Sequence, residues 1–204
     1  MELSSLRDMK ILVTGATGFI GSWLAERLTK ESNSVTILVR PNSPRRSCLQ
    51  SFEDKVDIVY GDIRDTNVVE QIVKDKDLIF HLAAITQVAS SLKDPVETFS
   101  VNLQGTINLL EAIRRSDQGQ ALVYASTDKV YGDPISLPIA EGHPLLGKSP
   151  YDASKIAAER ATYAYFKTYG LSISISRSSN VYGGRDVNFL RAIPDFVSSA
   201  ILGK

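Results

Sequence analysis

Short apolar runs alternate with amphipathic segments along the chain. Runs rich in Val, Ile and Leu are typical of strands with both faces covered, whereas an apolar period of 3.6 residues predicts helices. Asp65 or Thr66 and Pro150 suit the first turns of two helices. The predicted strands cover residues 10–14, 35–39, 56–60, 78–82, 121–126 and 172–177. The predicted helices cover residues 18–30, 66–74, 95–114, 151–168 and 188–202.

A glycine-rich turn joins the first predicted strand to the first predicted helix. Its glycines, Gly15, Gly18 and Gly21, follow the spacing G-x-x-G-x-x-G. The first suits a tight turn, the second lets backbone approach a pyrophosphate, and the third lets helix pack on strand. Free N–H groups at a helix N-terminus bind phosphate. The whole pattern therefore predicts an α/β fold, a Rossmann-type doubly wound parallel sheet with flanking helices that binds a dinucleotide.

The residues after the second and third strands bear on the choice of dinucleotide. Arg40 stands where NAD-specific sites usually carry an acidic residue for the ribose diol. With Arg45 and Arg46 nearby, it weakly favours a 2′-phosphate and hence NADP over NAD. After the third strand, Asp62 is a candidate acceptor for the adenine amine, and Ile63 is a candidate to pack on the ring.

A group of reactive side chains lies in the second half of the chain. Thr127, Asp128 and Lys129 follow the fifth predicted strand, and Tyr151 and Lys155 share one face of a predicted helix. A lysine so placed can lower the pKa of the phenol, which then acts as a base near neutral pH. Ligands of parallel α/β sheets bind beyond the carboxyl ends of the strands. The residues expected there together are Gly15, Asp62, Ala83, Thr127 and Asn180.

Composition excludes several classes of function. Among 204 residues, 23 Lys plus Arg balance 23 Asp plus Glu, so charge gives no case for binding nucleic acid or an anionic membrane. No long uncharged apolar run predicts a transmembrane helix, and residues 1–8 do not resemble a signal peptide. The one cysteine, Cys48, fits a reducing, cytoplasmic location. His81 and His143 lack partners at metal-ligand spacing, so no metal site is expected.

An ordered series of motifs, from about residue 9 onward, resembles the extended short-chain dehydrogenase/reductases that modify nucleotide sugars. The motifs are TGATGFIG at 14–21, GD at 61–62, HLAA at 81–84, VNLQGT at 101–106, STDKVYG at 126–132, Tyr151 with Lys155, and RSSNVYG at 177–183. The resemblance implies these cofactor-binding residues: Gly15, Thr17, Gly18, Phe19, Ile20, Arg40, Asp62, Ile63, Leu82, Ala83, Ala84, Asn102, Tyr151 and Lys155.

Within that family, Thr127-Asp128-Lys129 is similar to the lysine form of the 4,6-dehydratases, as in CDP-glucose 4,6-dehydratase. The resemblance implies oxidation of a nucleoside-diphosphate hexose at C4, loss of water across C5 and C6, and hydride return to C6. Tyr151, held by Lys155, would deprotonate the 4-hydroxyl, and Thr127 would bond that oxygen. Lys129 would assist removal of the C5 proton, and Asp128 would protonate the departing 6-hydroxyl. The implied substrate-binding residues are Thr86, Asn180, Asn188 and Arg191.

Two other functions stay open. One is a nucleotide-sugar 4-epimerase or reductase on the same scaffold, which Asp128 and Lys129 make less favoured. The other is a truncated, non-catalytic NAD(P)-binding module. The resemblance implies a Rossmann domain at 1–187 and the start of a largely absent substrate-binding domain at 188–204, in either a fragment or a naturally short protein.

The same resemblance implies a symmetric homodimer through helices 95–114 and 151–168. The apolar residues expected at that surface are Leu103, Ile107, Leu110, Ala161, Ala164 and Tyr165.

Overall fold

A computed structural model describes residues 6–43, 46–134 and 136–203, apart from the side chain of Arg46. Its six-stranded sheet has the order β3-β2-β1-β4-β5-β6, and every pairing is parallel. The strands are β1 (Lys10–Thr14), β2 (Ser34–Val39), β3 (Asp57–Tyr60), β4 (Leu78–His81), β5 (Ala121–Thr127) and β6 (Ser172–Ser178). The helices are α1 (Phe19–Thr29), α2 (Thr66–Val73), α3 (Val88–Lys93), α4 (Pro95–Phe99), α5 (Gly105–Ser116), α6 (Pro150–Tyr169) and α7 (Ala192–Ile201).

All of the predicted strands are confirmed, with both ends of each within about one residue of the prediction. The strand order grows outward in both directions from β1 and β4, which is the doubly wound arrangement. Alternate residues of one strand serve opposite faces: Leu12 belongs to one buried cluster, and Ile11 and Val13 belong to the other. Because helices cover both faces, these strands are continuous apolar runs in the sequence.

The predicted helix starts are also confirmed where side chains cap them. The carboxylate of Asp65 accepts hydrogen bonds from the backbone N–H groups of Asn67 and Val68 at the start of α2. Helix α6 begins with a capping box between Ser149 and Asp152, and Pro150 occupies its first turn. These caps fix where α6 begins, and therefore where the side chains of its first turns lie.

The helix predicted at 95–114 is in fact interrupted. Helix α4 ends at Phe99, a π-helical turn spans Ser100–Gln104, and α5 follows. The turn contains Asn102, whose side chain forms hydrogen bonds to residues of two other segments. Such π-helical turns inside helices are frequent at functional sites. The preceding helix α3 was not predicted. It is separated from α4 by Asp94, which caps α4 by accepting from the N–H of Glu97.

The last helix begins later than the predicted residue 188. Carboxylate and amide oxygens of Asp186 and Asn188 accept the backbone N–H groups of Asn188 and Leu190. Such local bonds compete with helical ones, so α7 starts only at Ala192. None of the residues of α7 is buried. In the part of the chain that the structure describes, no helix combines the length and apolar character that crossing a membrane requires.

Leu110 is fully buried between α5 and the sheet, at 0% exposure. The expectation that Leu110 faces a second copy of the chain is therefore wrong, because its side chain packs in the hydrophobic core of its own protomer. Leu103, Ile107, Ala161 and Tyr165 are half-buried, and Ala164 is exposed.

Candidate functional site

The ends of β1 and β4 approach each other closely at the point where the strand order diverges. Gly15 follows β1 with a φ of +78°, and a Cβ there would lie 2.6 Å from the carbonyl carbon of Leu82. It would also lie 2.7 Å from the nitrogen of Ala83. Only glycine allows both the left-handed conformation and this contact. The half-buried segment of Leu82, Ala83 and Ala84 therefore borders the glycine turn.

The glycine turn leaves the N-terminus of α1 uncapped by side chains. Gly18 is the N-cap residue, with no side-chain hydrogen bond there, and its N–H donates to the carbonyl of Gly15 at 2.9 Å. A Cβ on Gly21 would overlap that same carbonyl oxygen, so α1 packs tightly on the turn. Thr17 accepts a hydrogen bond from Ser43, and Phe19 is buried, while Ile20 is exposed. This cradle fits a dinucleotide pyrophosphate.

Arg64 was not predicted from the sequence as a site residue. It donates hydrogen bonds to the carboxylate of Asp62, the group predicted to bind adenine. Its Nε and Nη2 donate to Asp62 at 2.9 and 2.7 Å, and its backbone N–H donates as well. These bonds lower the pKa of Asp62, and the more distant charge of Arg40 adds to the effect. The adenine amine would have to compete with Arg64 for this carboxylate.

The other residues predicted near the adenosine half are placed less favourably. Ile63 is only 4% exposed and packs against Gly105, so most of its surface belongs to the core. Arg40 is exposed at the end of β2. Arg45 lies outside the described residues, as does the side chain of Arg46.

A buried hydrogen-bond chain joins the ends of β1 and β4 to the π-helical turn. The N–H of Ala83 donates to the hydroxyl of Thr14 at 3.2 Å, and that hydroxyl lies 2.7 Å from Nδ1 of His81. On the other side, Nε2 of His81 lies 3.0 Å from the hydroxyl of Thr106, which donates to the carbonyl of Asn102. Burial lowers the pKa of His81 to about 3, so the ring is neutral. If Nε2 of His81 carries the ring proton, it donates to the hydroxyl of Thr106, and Nδ1 accepts from the hydroxyl of Thr14. Each N–H and O–H group of the chain then has one acceptor.

Asn102 was expected to contact the cofactor, but its side-chain amide forms hydrogen bonds to other groups of the protein. Its oxygen accepts from the N–H of Ile85 at 2.8 Å, and its nitrogen donates to the carbonyl of Ile85 at 3.0 Å. The same nitrogen donates to the hydroxyl of Ser154 at 2.9 Å, and this hydroxyl donates to the carbonyl of Tyr151. Asn102 thus holds the segment after β4 against the first turn of α6.

Tyr151 and Lys155 lie one turn apart on the buried face of α6. The amine of Lys155 donates to the carbonyl of Ala125 at 2.6 Å and lies 4.4 Å from the ring centroid of Tyr124. Burial lowers the pKa of Lys155 to about 7. Burial also raises the pKa of Tyr151, although a hydrogen bond with Thr127 opposes the rise. The pKa of Tyr151 is therefore raised rather than lowered as expected, because desolvation of the phenol outweighs the favourable interactions with Thr127 and Arg191.

Thr127, Asp128 and Lys129 are brought beside Tyr151 by a short 3₁₀ turn, Asp128–Tyr131, that continues β5. The hydroxyl of Thr127 accepts the N–H of Lys129 at 3.2 Å and so caps this turn. The carboxylate of Asp128 and the amine of Lys129 lie 3.8 Å apart, with side chains 28% and 50% exposed. The hydroxyl of Thr127 donates to the carboxylate of Asp128 at 3.3 Å. Burial chiefly raises the pKa of Tyr151, and the negative charge of Asp128 adds to the rise.

Of the predicted substrate-binding residues, Arg191 is the one tied to the reactive group. Its guanidinium bonds to the buried carboxylate of Asp186 at 3.1 Å, and its charge opposes the raised pKa of Tyr151. Asn188 lies between these two in the chain and is half-buried. Thr86 and Asn180 are exposed after β4 and β6. All of these segments lie at the carboxyl edge of the sheet.

Comparison with known proteins gives a family that covers most of the chain. The family model described as GDP-mannose 4,6 dehydratase matches residues 12–204. UDP-glucose 4-epimerase of Mycolicibacterium smegmatis is 39% identical over 180 residues, which cover 87% of this chain and 58% of the relative. dTDP-glucose 4,6-dehydratase of Mycobacterium tuberculosis is 35% identical over 203 residues, which cover 96% of this chain and 60% of the relative.

The fold is likewise similar to solved structures. A double mutant of DesIV, a dTDP-glucose 4,6-dehydratase from Streptomyces venezuelae solved with NAD bound, has a TM-score of 0.88 and 33% identity. The match covers 96% of this chain and 63% of that structure. The chain therefore spans less than two thirds of the length of these relatives.

The lowered pKa of Lys155 predicts a pH dependence of stability. Between about pH 7 and 10.5, the unfolded chain holds a proton that the folded chain has lost. The free energy of unfolding should therefore rise with pH across this window. We expect urea denaturation from about pH 7 to pH 9 to show the rise in the wild type and to show a flatter profile for Lys155→Met. Lys148→Met serves as the control, because Lys148 is exposed and its pKa is raised instead. Equal pH slopes in wild type and Lys155→Met would contradict the assignment.

Proposed function

Since the chain belongs to the family of nucleotide-sugar dehydratases and epimerases represented by GDP-mannose 4,6 dehydratase, we propose that it carries the reactive groups of an NAD-dependent nucleotide-sugar 4,6-dehydratase. The observation that carries the proposal is the short turn after β5, which presents Asp128 and Lys129 beside Tyr151 and Thr127. A carboxyl group and an amine, next to the groups that would deprotonate the 4-hydroxyl, supply the acid and base that elimination of water needs beyond oxidation of an alcohol.

The cradle around Gly15, Gly18 and Gly21 would hold the pyrophosphate, with the uncapped N-terminus of α1 as its anion site. When bound, the dinucleotide accepts a hydride from the sugar and returns it later in the same cycle. We assign NAD, because a similar solved dehydratase is named with NAD bound. The weak preference for NADP, based on exposed Arg40, is not confirmed.

Two sets of residues would carry the acid–base steps, one for oxidation at C4 and one for loss of water across C5 and C6. Tyr151 would remove the proton from the 4-hydroxyl, and Thr127 would hydrogen-bond that oxygen. The resulting ketone at C4 makes the C5 proton acidic. Lys129, as the neutral amine, would then assist removal of the C5 proton while Asp128, as the protonated acid, gives its proton to the departing 6-hydroxyl. The ammonium and carboxylate that result return to their starting forms by transfer of one proton between them. A separation of 3.8 Å lets the two groups reach adjacent carbons of one sugar.

The alternative is a nucleotide-sugar 4-epimerase, which the 39% identity to UDP-glucose 4-epimerase favours. An epimerase needs Thr127, Tyr151 and Lys155 to move hydride and proton at C4, but no acid and base for C5 and C6. Asp128 and Lys129 would then be solvated residues of a turn. The two activities are distinguished by the product formed from one substrate.

Residues 1–187 would form the dinucleotide-binding domain, and residues 188–204 would begin the substrate-binding domain. Support comes from exposed apolar side chains at this end of the chain, which are Ile193 and Phe196 of α7 and Phe189 just before it. Arg191 precedes this helix and would face the phosphates or sugar of a nucleoside-diphosphate hexose. We place the protein in the cytoplasm, in keeping with its free Cys48.

We further propose a symmetric homodimer through the outer faces of α5 and α6. The half-buried Ile107, Ala161 and Tyr165 and the exposed Ala164 offer this surface, together with the half-buried Leu103 of the π-helical turn before α5. Leu110 is excluded from it, because it is buried inside the protomer.

The assembly can be tested at Ala164. We expect Ala164→Arg to convert a dimer into a monomer by light scattering at micromolar concentration, with little change in the free energy of unfolding. Leu110→Ala is the matched control: it should destabilise the protomer by about 2–5 kcal/mol. A monomeric wild type at that concentration would contradict the proposed dimer.

Cofactor binding can be tested at Gly18. Its φ of −82° suits alanine, and the added Cβ would lie 3.1 Å from the carbonyl of Gly15. The fold should tolerate the change, but the Cβ stands where backbone must approach the pyrophosphate. Calorimetric titration should show NAD binding about tenfold weaker to Gly18→Ala than to the wild type. Gly142→Ala, in open space, should bind as the wild type does. Absence of both NAD and NADP binding to the wild type would contradict the proposal.

Elimination can be separated from oxidation in the intact gene product. With dTDP-glucose, Asp128→Asn combined with Lys129→Met should lower formation of the 4-keto-6-deoxy product by about 10²–10⁴-fold. Oxidation at C4 should persist and appear as absorbance of reduced cofactor. Tyr151→Phe should abolish both steps. Product formation near the wild-type rate in the double variant would remove Asp128 and Lys129 from the elimination step.

A further inference from the structure

A buried ion pair lies behind the turn that carries Asp128 and Lys129. The carboxylate of Glu159 on α6 is 4% exposed and pairs with the guanidinium of Arg177 on β6, which is 23% exposed. Nε of Arg177 donates to both carboxylate oxygens, at 3.0 and 3.2 Å. The hydroxyl of Ser126 on β5 donates to the same carboxylate at 2.8 Å. Two strands and a helix therefore fix the position of this pair.

The opposite side of the guanidinium reaches the end of the Asp128–Tyr131 turn. Nη1 of Arg177 donates to the hydroxyl of Tyr131 at 2.7 Å and to the carbonyl of Glu141 at 2.7 Å. The guanidinium carbon lies 4.9 Å from the ring centroid of Tyr131, which is 6% exposed. Tyr131 is thus held both by its hydroxyl and by its ring.

The turn has few bonds of its own. A 3₁₀ turn of four residues is weakly stable, so contacts at its two ends decide where it lies. Thr127 caps its first residues, and the N–H of Gly132 closes the other end by donating to the carbonyl of Lys129 at 3.1 Å. The N–H of Gly147 donates to the carbonyl of Val130, also at 3.1 Å, and joins the following loop to the turn.

We propose that Arg177 is a positioning residue for the elimination step: it ties the Asp128–Tyr131 turn, through Tyr131, to the Glu159 carboxylate on α6. This inference rests on the roles proposed for Asp128 and Lys129. The oxidation step depends on Arg177 much less, because Tyr151 and Lys155 are placed by α6 itself and by its capped first turn.

Tyr131→Phe is the variant that tests the link most narrowly, because it removes one oxygen and keeps the ring and the Glu159–Arg177 pair. Arg177→Lys is the second variant, in which a single ammonium keeps charge beside Glu159 but cannot also span to Tyr131. Tyr163→Phe is the control, since Tyr163 is exposed on α6. Replacing Arg177 with an apolar residue is avoided, because it would leave the Glu159 carboxylate buried and unpaired.

The first readout is hydrogen exchange of the Gly132 and Gly147 amides. We expect both to exchange about tenfold faster in Tyr131→Phe and Arg177→Lys than in the wild type and in Tyr163→Phe. Amides of β1 should be unchanged. Unchanged exchange at Gly132 and Gly147 would overturn the proposal, whatever the activity.

The second readout is the split between the two chemical steps in the intact gene product with dTDP-glucose. Tyr131→Phe should slow formation of the 4-keto-6-deoxy product about tenfold while reduced cofactor still appears at the wild-type rate. Equal slowing of both steps, or no slowing, would overturn the proposal. If the wild type yields an epimer instead, the dehydratase proposal is wrong, and so is the role of Arg177 in elimination. Hydrogen exchange of the Gly132 and Gly147 amides still tests whether Arg177 fixes the position of the turn.

Discussion

The site depends on the close approach of two strand ends at the point where the sheet order diverges. Gly15 leaves no room for a Cβ against the backbone of Leu82 and Ala83, so the glycine turn and the segment after β4 form one continuous surface. The neutral ring of His81 closes the same junction from inside by linking Thr14 to Thr106. The phosphate cradle, the π-helical turn and the start of α6 all connect to this junction.

Helix α6 carries three ionisable side chains at intervals of four residues. Tyr151, Lys155 and Glu159 share its buried face, and each has a different partner at the sheet. The interaction with Thr127 opposes the raised pKa of the phenol, the amine donates to the carbonyl of Ala125, and the carboxylate pairs with Arg177. A phenol, an amine of lowered pKa and a carboxylate paired with Arg177 thus lie in one row. The second pair of reactive groups is on the neighbouring turn, which has no such helix to hold it.

The layered fold and the glycine turn after β1 could be predicted from the sequence, because apolar runs and the glycine spacing are local signals. It did not reveal contacts between side chains that are distant in sequence. Nothing in the motif around Asn102 shows that its amide is used by Ile85 and Ser154 and interrupts the helix. Arg64 could have been suspected as a competitor for Asp62 only from its position two residues later. The direction of the Tyr151 pKa depends on burial, which spacing alone does not give.

The most direct test of the dehydratase assignment follows one hydrogen through the reaction. The intact gene product would be incubated with dTDP-glucose that carries deuterium at C4, and the label would be located in the product by NMR spectroscopy. We expect a 4-keto-6-deoxy sugar with the deuterium at C6, because the proposed reaction loses water, with the assistance of Asp128 and Lys129, before the hydride returns. An epimerised hexose with the deuterium still at C4 would contradict that assignment.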